Sequence, residues 1–200
     1  MTVIYMKLMK YIAALLGSLC VMGGCNGIQS AEVYTVSVEP YRPVSDEDIR
    51  FGECSISFGD EVNVSGQGAW YKGSDIVISE GGIYNISGTY DGGSIVVDTP
   101  NNVKIVFSDA NISSPNGCAI ISSAEKLIIA SEGSNTITSG NSDSAVYSDG
   151  GLLILGNGKM SINGGVFSRG GIRFGRSVST LCQIIYTDDG EFIPETLYIN

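Results

Sequence analysis

From residue 94 onward, short apolar segments alternate with polar turns along the chain. Four of these segments are each followed, after a short turn, by a second apolar segment. Three of the second segments are in turn followed by a third short segment that fits a strand. Segments rich in Ile and Val that end in Gly, Asn, Asp or Ser are typical of β-strands. The first segments are Ser94–Asp98, Cys118–Ser122, Ala145–Asp149 and Val166–Arg169; the second are Val103–Phe107, Leu127–Ile129, Leu152–Leu155 and Ile172–Phe174; the third are Asn111–Ser113, Asn135–Thr138 and Lys159–Ile162.

The spacing of these segments predicts a coil of stacked turns. Aligning Val97, Ile121, Tyr147 and Phe167 gives steps of 24, 26 and 20 residues. One turn of a β-solenoid has this length, and its apolar face is buried only by the neighbouring turns. We therefore expect an all-β chain, a β-solenoid of about four to five rungs, with no helix after residue 25.

Two segments twenty residues apart are near copies of each other, namely Ser148–Leu152 and Ser168–Ile172. Each contains a pair of glycines, which suits a sharp corner that requires a positive φ. A phosphate-binding loop would need a following helix, which the pattern does not predict. We interpret both glycine pairs as structural corners.

The first 25 residues resemble a bacterial lipoprotein signal. Lys7 and Lys10 precede the apolar run Tyr11–Met22, and two glycines stand before Cys25. In this interpretation Cys25 carries the lipid and the protein is extracytoplasmic, attached to a cell membrane or outer membrane. The alternative, an uncleaved membrane anchor, is disfavoured because the run is shorter than the roughly 20 residues that a span requires.

The predicted organisation is a signal at 1–25, a polar tether at 26–54, a β-helix domain at 55–176 and a divergent tail at 177–200. Without the signal, which carries two lysines and no acid, the formal charge changes from −10 to −12. Such acidity argues against nucleic acid as a partner, because binding to phosphates requires clustered Lys and Arg. The oligomeric state is left open.

Several kinds of catalytic site are excluded by composition. The sequence contains no histidine, which rules out Ser-His, Cys-His and His-ligated zinc sites. Cys54, Cys118 and Cys182 lack metal-ligand spacing, and Cys118 is predicted to be buried in a rung. The adjacent or nearly adjacent carboxylates are interpreted as solvated turns; they are Asp46 with Asp48, Asp60 with Glu61, and Asp188 with Asp189.

A long ordered stretch of the chain resembles a family of bacterial carbohydrate-binding domains whose members are secreted or attached to the cell surface. The resemblance starts at about Ser55, ends at about Gly165, and is carried by Ser74–Asp98, Val103–Ile112, Gly117–Ile120 and Ala145–Asp149. It implies a right-handed parallel β-helix, related in architecture to pectate lyases. It also implies binding of plant cell-wall polysaccharide, acidic pectic chains among them, with bound calcium.

The residue types at the turns are compatible with calcium, which takes six to eight oxygen ligands. Stacked turns would present such oxygens in rows, although each residue also suits a turn without an ion. The predicted metal ligands are Asp98, Asp109, Asn111, Asp143 and Asp149, with Asn101, Asn102 and Asn141 as further oxygens.

Sugar binding would require exposed aromatic rings. Trp70, Tyr71 and Tyr90 are the predicted sugar-binding residues, with Tyr84 and Tyr147 as further candidates. Packing in the core or at an edge is the alternative role for each of them.

Three functions are compatible with the sequence. The first is a lipid-anchored, non-catalytic module that binds a plant-type or acidic polysaccharide with the help of calcium. The second is a structural or adhesive surface solenoid that binds a protein through a strand edge. The third is a calcium-dependent polysaccharide lyase, in which an arginine or lysine removes the proton beside a uronate carboxylate. Arg169 and Arg173 disfavour it because they follow Gly165, where the chain departs from the family pattern and its end is either shortened or unrelated.

Overall fold

The structure is a computed structural model that describes residues 52–140, 144–175, 178, 180, 182, 184–194 and 196–199. The signal, Cys25, most of the tether and Asp143 lie outside these ranges. Within them every regular element is a strand, so no described helix is long and apolar enough to cross a bilayer. The strands are β1 (Glu53–Phe58), β2 (Val62–Ser65), β3 (Ala69–Lys72), β4 (Asp75–Ile78), β5 (Gly82–Tyr90), β6 (Ile95–Val97), β7 (Val103–Ser114), β8 (Ile120–Ser122), β9 (Lys126–Glu132), β10 (Ser134–Ser139), β11 (Val146–Ser148), β12 (Gly151–Gly156), β13 (Lys159–Asn163), β14 (Val166–Ser168), β15 (Ile172–Phe174), β16 (Ile185–Thr187), β17 (Gly190–Ile193) and β18 (Leu197–Ile199).

The chain winds as a β-solenoid with three faces of parallel strands. Face A contains β5, the first half of β7, β9, β12 and β15. Face B contains β4, β6, β8, β11 and β14, and face C contains the second half of β7, β10 and β13. The all-β solenoid is confirmed. It has about three turns with a strand on every face and a partial turn at either end, which is fewer than the four to five predicted.

The structure corrects one detail of the predicted alignment. Ile121 pairs with Val96 and not with Val97, because Val97 points inward and pairs with Ser122. Downstream, Ile121 pairs with Tyr147 and Tyr147 with Phe167, as predicted. A shift of one residue exchanges the two sides of a strand. The observed register therefore means that Val96, and not Val97, faces outward on β6.

The core consists of inward-facing ladders in which each rung covers the apolar residue of the next. On face B, Ile76, Ile95, Ile120, Val146 and Val166 are in register, and all are fully buried. Face A contributes a ladder of Tyr84, Ile105, Ile129 and Ile154, and face C one of Ile112, Ile137 and Ile162. These ladders explain the short apolar segments that recur in the sequence.

The glycine pairs stand at corners, as predicted, but for a partly different reason. Only Gly171 among the four has a positive φ, of 92°. At Gly150 a Cβ would lie 2.2 Å from the carbonyl oxygens of Ala124 and Glu125, and at Gly170 it would lie 2.4 Å from the nitrogen of Gly151. Close stacking of one corner on the next therefore requires glycine at Gly150 and Gly170.

The cysteine interpretation also needs a correction. Cys118 is only half-buried, because it precedes β8 at a corner, whereas Cys54 is buried in β1. Burial raises the pKa of the Cys54 thiol, and also that of Cys182. None of the three cysteines that the structure describes takes part in a disulfide.

One buried polar side chain holds three turns together at the corner between faces A and C. Asn135 is 3% exposed, and its Oδ1 accepts a hydrogen bond from the Ala110 N–H at 2.8 Å. Its Nδ2 donates to the hydroxyl of Ser131 at 2.9 Å, to the Glu132 carbonyl at 2.8 Å and to the Lys159 carbonyl at 3.4 Å. The Asn135 side chain therefore provides hydrogen-bond partners for backbone groups at this corner, inside the protein.

Antiparallel strands cover part of both ends of the solenoid. At the first end β2 pairs with β1 and β3 with β4. At the other end β17 pairs with β14, β16 with β17, and β18 with β13. The tail thus lies on the last turn, and it follows no rung period because its strands run in the opposite direction. Covered edges reduce the risk of edge-to-edge association.

We predict that Asn135→Ala lowers the free energy of unfolding by about 2 to 3 kcal/mol, because it leaves the Ala110 N–H and the Glu132 carbonyl unpaired in the interior. Denaturant unfolding followed by circular dichroism measures this change. Asn116→Ala, at an exposed bend, serves as the control and should change stability by about 0.5 kcal/mol or less. Equal effects of the two variants would contradict this role of Asn135.

Alkaline pH should destabilise the fold through two buried tyrosines. Burial raises the pKa of Tyr84 to about 12 and that of Tyr90 to about 12. In the unfolded chain both ionise near pH 10, so the native state holds more protons between about pH 10 and 12. The stability is present below pH 10 and is lost as pH rises. Denaturant unfolding from pH 9 to 12 should show this loss, and the double variant Tyr84→Phe, Tyr90→Phe should show a flatter pH dependence.

Candidate functional site

Face B presents a continuous line of apolar side chains on its outer side. Strands β6, β8, β11 and β14 have three residues each, and their burial alternates so that only the middle residue points outward. These middle residues lie in register with outward residues of β3, β4, β16 and β17. We call this line the outer stripe; its residues in spatial order are Trp70, Val77, Val96, Ile121, Tyr147, Phe167, Phe192 and Ile185.

The outer stripe is accessible along its length. Trp70 is 45% exposed and Ile121 is 37% exposed, while the other six residues are half-buried. The rings of Tyr147 and Phe167 stack with their centroids 5.3 Å apart and an angle of 16° between the planes. With a strand spacing of about 4.8 Å, eight strands extend the stripe over roughly 30 Å.

A line of polar side chains runs beside the outer stripe, two residues further along each strand. We call it the polar row, and it consists of Asp98, Ser123, Asp149 and Arg169, all of which are exposed. Backbone hydrogen bonds to the preceding strand fix each position, for example from Ser123 N–H to the Val97 carbonyl at 2.9 Å and from Asp149 N–H to the Ser122 carbonyl at 2.8 Å. The apolar and polar rows therefore lie side by side on every turn from β6 to β14.

Three side chains link the two rows. The Asp149 carboxylate accepts hydrogen bonds from the Tyr147 hydroxyl at 3.1 Å and from the Arg169 guanidinium at 2.9 Å. Arg169 and Asp149 form an ion pair in which both side chains remain about half exposed. Partial burial and then the hydrogen bond to Asp149 raise the pKa of Tyr147. Planar polar groups are thus held in place next to an aromatic pair.

The polar row ends in a cleft of about 630 Å³ at the tail end of the solenoid. This corner cleft contains Asp149 and Arg169 on one side and the β16–β17 hairpin on the other; its lining also includes Gly170, Gly171, Tyr186, Thr187, Asp188, Asp189, Gly190 and Glu191. Tyr186 is 39% exposed. Glu191 accepts the Ile172 N–H at 2.6 Å and pairs with Arg173, so it holds the hairpin against the last turn.

Comparison with family models matches residues 72–177 to the carbohydrate-binding domain-containing proteins. The match spans just over half of the chain and all five parallel strands of face B. The chain belongs to this family. No curated protein and no solved structure matches it.

The family region of this carbohydrate-binding domain protein differs in its limits from the resemblance seen in the sequence. The predicted region ended near Gly165, whereas the match continues to residue 177. It therefore includes Arg169 and Arg173, which had been placed beyond the family pattern. The corner that carries Arg169 lies within the matched family region.

The predicted sugar-binding residues lie in different environments. Trp70 belongs to the outer stripe, whereas its neighbour Tyr71, which is 48% exposed, pairs with the inward residue Ile76 and so faces the opposite side of β3. Tyr90 is only 7% exposed; its ring stacks on Phe58 at 4.5 Å and its hydroxyl bonds to the Ser74 carbonyl. Tyr90 is therefore a packing residue, because it occupies an inward position at the end of β5, paired with the fully buried Ile112.

The predicted calcium ligands do not form one cluster. Asp98 and Asp149 belong to the polar row, but Ser123 separates them, which places them roughly 10 Å apart. Asp109 and Asn111 lie at the corner between faces A and C, and Asp143 lies outside the described residues. Across the described ranges, no group of three acidic or cysteine side chains could hold a metal. Calcium binding stays a prediction.

Asp109 has a structural role at its corner. It is the extra residue of a β-bulge, since Ser108 pairs with Ser87 and Ala110 with Gly88. Its φ of 51° lies in the left-handed region, and its Oδ1 accepts the Ser134 N–H at 2.9 Å. The bulge bends β7 from face A to face C.

Several residues of the site were not predicted from the sequence, among them Phe167, Phe192 and Arg169. Phe167 was aligned correctly with Tyr147, so its outward position could have been inferred from the period-two alternation of β14. Phe192 gives no such signal, because it lies in an antiparallel strand of the tail.

We predict that Asp149→Asn lowers the pKa of Tyr147 partway toward the ordinary tyrosine value of about 10, because the negative charge next to the hydroxyl is removed. A nuclear magnetic resonance titration of ring-labelled tyrosine measures this shift. Asp98→Asn, two turns away in the polar row, is the matched control and should leave Tyr147 unchanged. If Asp149→Asn had no effect, the link between the two rows would be wrong.

Proposed function

We propose that this protein is a non-catalytic carbohydrate-binding module, held on the extracytoplasmic side of a cell membrane by a lipid on Cys25, and that the outer stripe and the polar row form its binding surface. The observation that carries the proposal is the pairing of an apolar and a polar row on one face of a carbohydrate-binding domain. The corner cleft continues this surface at the tail end.

The chemistry of the two rows suits a sugar polymer. A pyranose ring has apolar C–H groups that pack on aromatic and aliphatic side chains, and hydroxyls that bond to carboxylate, guanidinium and hydroxyl groups. Ile121, Tyr147 and Phe167 supply the first kind of contact, and Ser123, Asp149 and Arg169 supply the second. Ligand sites generally combine an apolar surface with a few placed polar groups in this way.

Binding without catalysis is supported by the contacts of Arg169. A lyase would require a base near the polymer, but the Arg169 guanidinium is engaged in an ion pair with Asp149 at 2.9 Å. The sequence contains no histidine that could act in its place. Arg173 is engaged with Glu191 at 3.3 Å.

We propose calcium only as an ion that the protein shares with an acidic ligand. The described carboxylates do not supply the six to eight oxygens that the ion takes. An acidic polysaccharide could complete the set with its own carboxylates, and Asp98 or Asp149 would then share the ion with the polymer. We expect plant-type polysaccharides, neutral or acidic, as ligands, with calcium required for the acidic ones.

We predict that the chain from Asn26 onward is retained on cellulose with or without calcium, and on polygalacturonate only with calcium, because the protein and the second polymer are both negatively charged. Sedimentation with cellulose, and with polygalacturonate coupled covalently to insoluble beads, measures retention, and a chelator tests the calcium requirement. Ultraviolet absorbance of the supernatant detects unsaturated sugars.

Release of unsaturated sugars would contradict a non-catalytic role and favour a lyase. A lack of retention on every polysaccharide would contradict carbohydrate binding and favour a structural or protein-binding solenoid. The lipid anchor is tested separately, because Cys25→Ser should abolish labelling of the protein by a radioactive fatty acid in cells and should move it from the membrane fraction to the soluble fraction.

A further inference from the structure

We infer that the outer side of face A is an interaction surface for the protein's own chain, and that residues 40–51, directly before β1, lie over it. This part of the predicted tether then belongs to the folded module and is not a free spacer. The inference concerns a different face from the outer stripe and does not depend on the ligand of the protein.

The outward residues of face A form a row in register, with one residue on each strand. We call it the face A row. A charged residue stands at either end, and a lysine stands among the apolar residues between them. The members in spatial order are Glu53, Ile83, Lys104, Ile128, Leu153 and Arg173.

The apolar middle of the face A row is inaccessible although it points outward. Ile128 is 1% exposed and Leu153 is 5% exposed, and the two form a cluster separate from the main core. On face B, Ile121 also points outward between two sheet neighbours, but it is 37% exposed. Neighbours within a sheet cover the flanks of an outward side chain and leave its tip open. Further chain atoms therefore lie over Ile128 and Leu153.

The described strands do not supply this cover. Those in extensive contact with β9 and β12 are their sheet neighbours and the face C strands β10 and β13, which meet face A at a corner and through the core. The apolar side chains packed against the cluster, Ile83 and Leu155, come from the same sheet. After β15, Val178 and Cys182 pack against the main core.

A second copy of the protein is not needed as the cover. The exposures of Ile128 and Leu153 are those within a single chain. The same chain therefore supplies the atoms that lie over the row, from residues beyond the described ranges.

The segment before β1 starts at the correct place and is long enough. It leads directly into Glu53, which is the first residue of the face A row. From Glu53 to Leu153 the row crosses four strand spacings, or roughly 19 Å, a distance that about six extended residues span. Residues 40–51 are twice that number, so they can follow the row over its apolar middle.

The composition of the segment complements the row. Val44, Ile49 and Phe51 supply apolar side chains, and the acidic run 46–48 lies between the first two of them. Lys104 is half-buried in the middle of the row. A covered ammonium group requires a carboxylate or other acceptor nearby. The acidic run brings carboxylates to this part of the surface.

Limited proteolysis of the full chain in mild detergent tests the inference. Glutamyl endopeptidase cleaves after Glu47, which lies six residues before β1, so the strand itself does not block the enzyme. A synthetic peptide of residues 40–53 gives the cleavage rate of the same sequence without the solenoid. Cleavage in the protein, followed by mass spectrometry, should be at least about tenfold slower, because a covered segment has to detach first. Equal rates would overturn the inference.

Variants on both sides of the contact identify the surface. Leu153→Asp places a charge in the row and should raise the cleavage rate after Glu47 by roughly tenfold, because a buried carboxylate repels both the apolar chain and the acidic run. Ile49→Asp in the segment should do the same in the protein but not in the peptide. The control Tyr198→Asp changes a residue that is 63% exposed on β18, which pairs with face C, and should leave the rate unchanged.

The remaining outcomes distinguish other covers. Circular dichroism and a thermal melt establish that each variant is folded, and Ile49→Asp provides the reading if Leu153→Asp is not folded. Light scattering after size-exclusion chromatography gives the oligomeric state. If Leu153→Asp changes the oligomeric state and not the cleavage rate, a second copy covers face A and the inference is wrong. It is also wrong if neither Leu153→Asp nor Ile49→Asp speeds cleavage of the folded protein.

Discussion

The structure depends on one constraint, which is that a single turn of short parallel strands cannot bury its own apolar residues. Each inward residue is covered by its counterpart on the next turn, as in the face B ladder of Ile76, Ile95 and Ile120. Burial of a large aliphatic side chain stabilises the fold by about 1.5 to 3 kcal/mol, but only when the neighbouring turn is in register. Register is therefore fixed throughout the solenoid by the core.

The same constraint creates the surface. Since side chains alternate across a strand, a register that aligns the inward residues also aligns the outward ones. The outer stripe and the polar row are thus straight because the core ladders are straight. Turn length can vary, as between 26 residues from Ile121 to Tyr147 and 20 from Tyr147 to Phe167, because the loops absorb the difference.

Much of this arrangement could be predicted from the sequence, and the failures have physical causes. The parallel strands and their order follow from local patterns of Ile, Val and turn residues, and Trp70, one of the predicted sugar-binding residues, is exposed. Val97 was misaligned with Ile121 because two adjacent valines give no alternation from which to choose the outward one. The burial of Tyr90 depends on Phe58, a contact across the fold that no local pattern encodes.

The tail shows most clearly why sequence periodicity is an incomplete guide to the site. A parallel solenoid leaves unpaired backbone groups at its last turn, and here β17, β18 and the Glu191 carboxylate satisfy some of them. Antiparallel strands cannot repeat the rung pattern, so the segment looks unrelated in the sequence. Yet β17 and β16 bring Phe192 and Ile185 to the outer stripe, and their turn brings Asp188 and Asp189 to the corner cleft. The element that ends the solenoid therefore also extends the surface on which we expect the polysaccharide to lie.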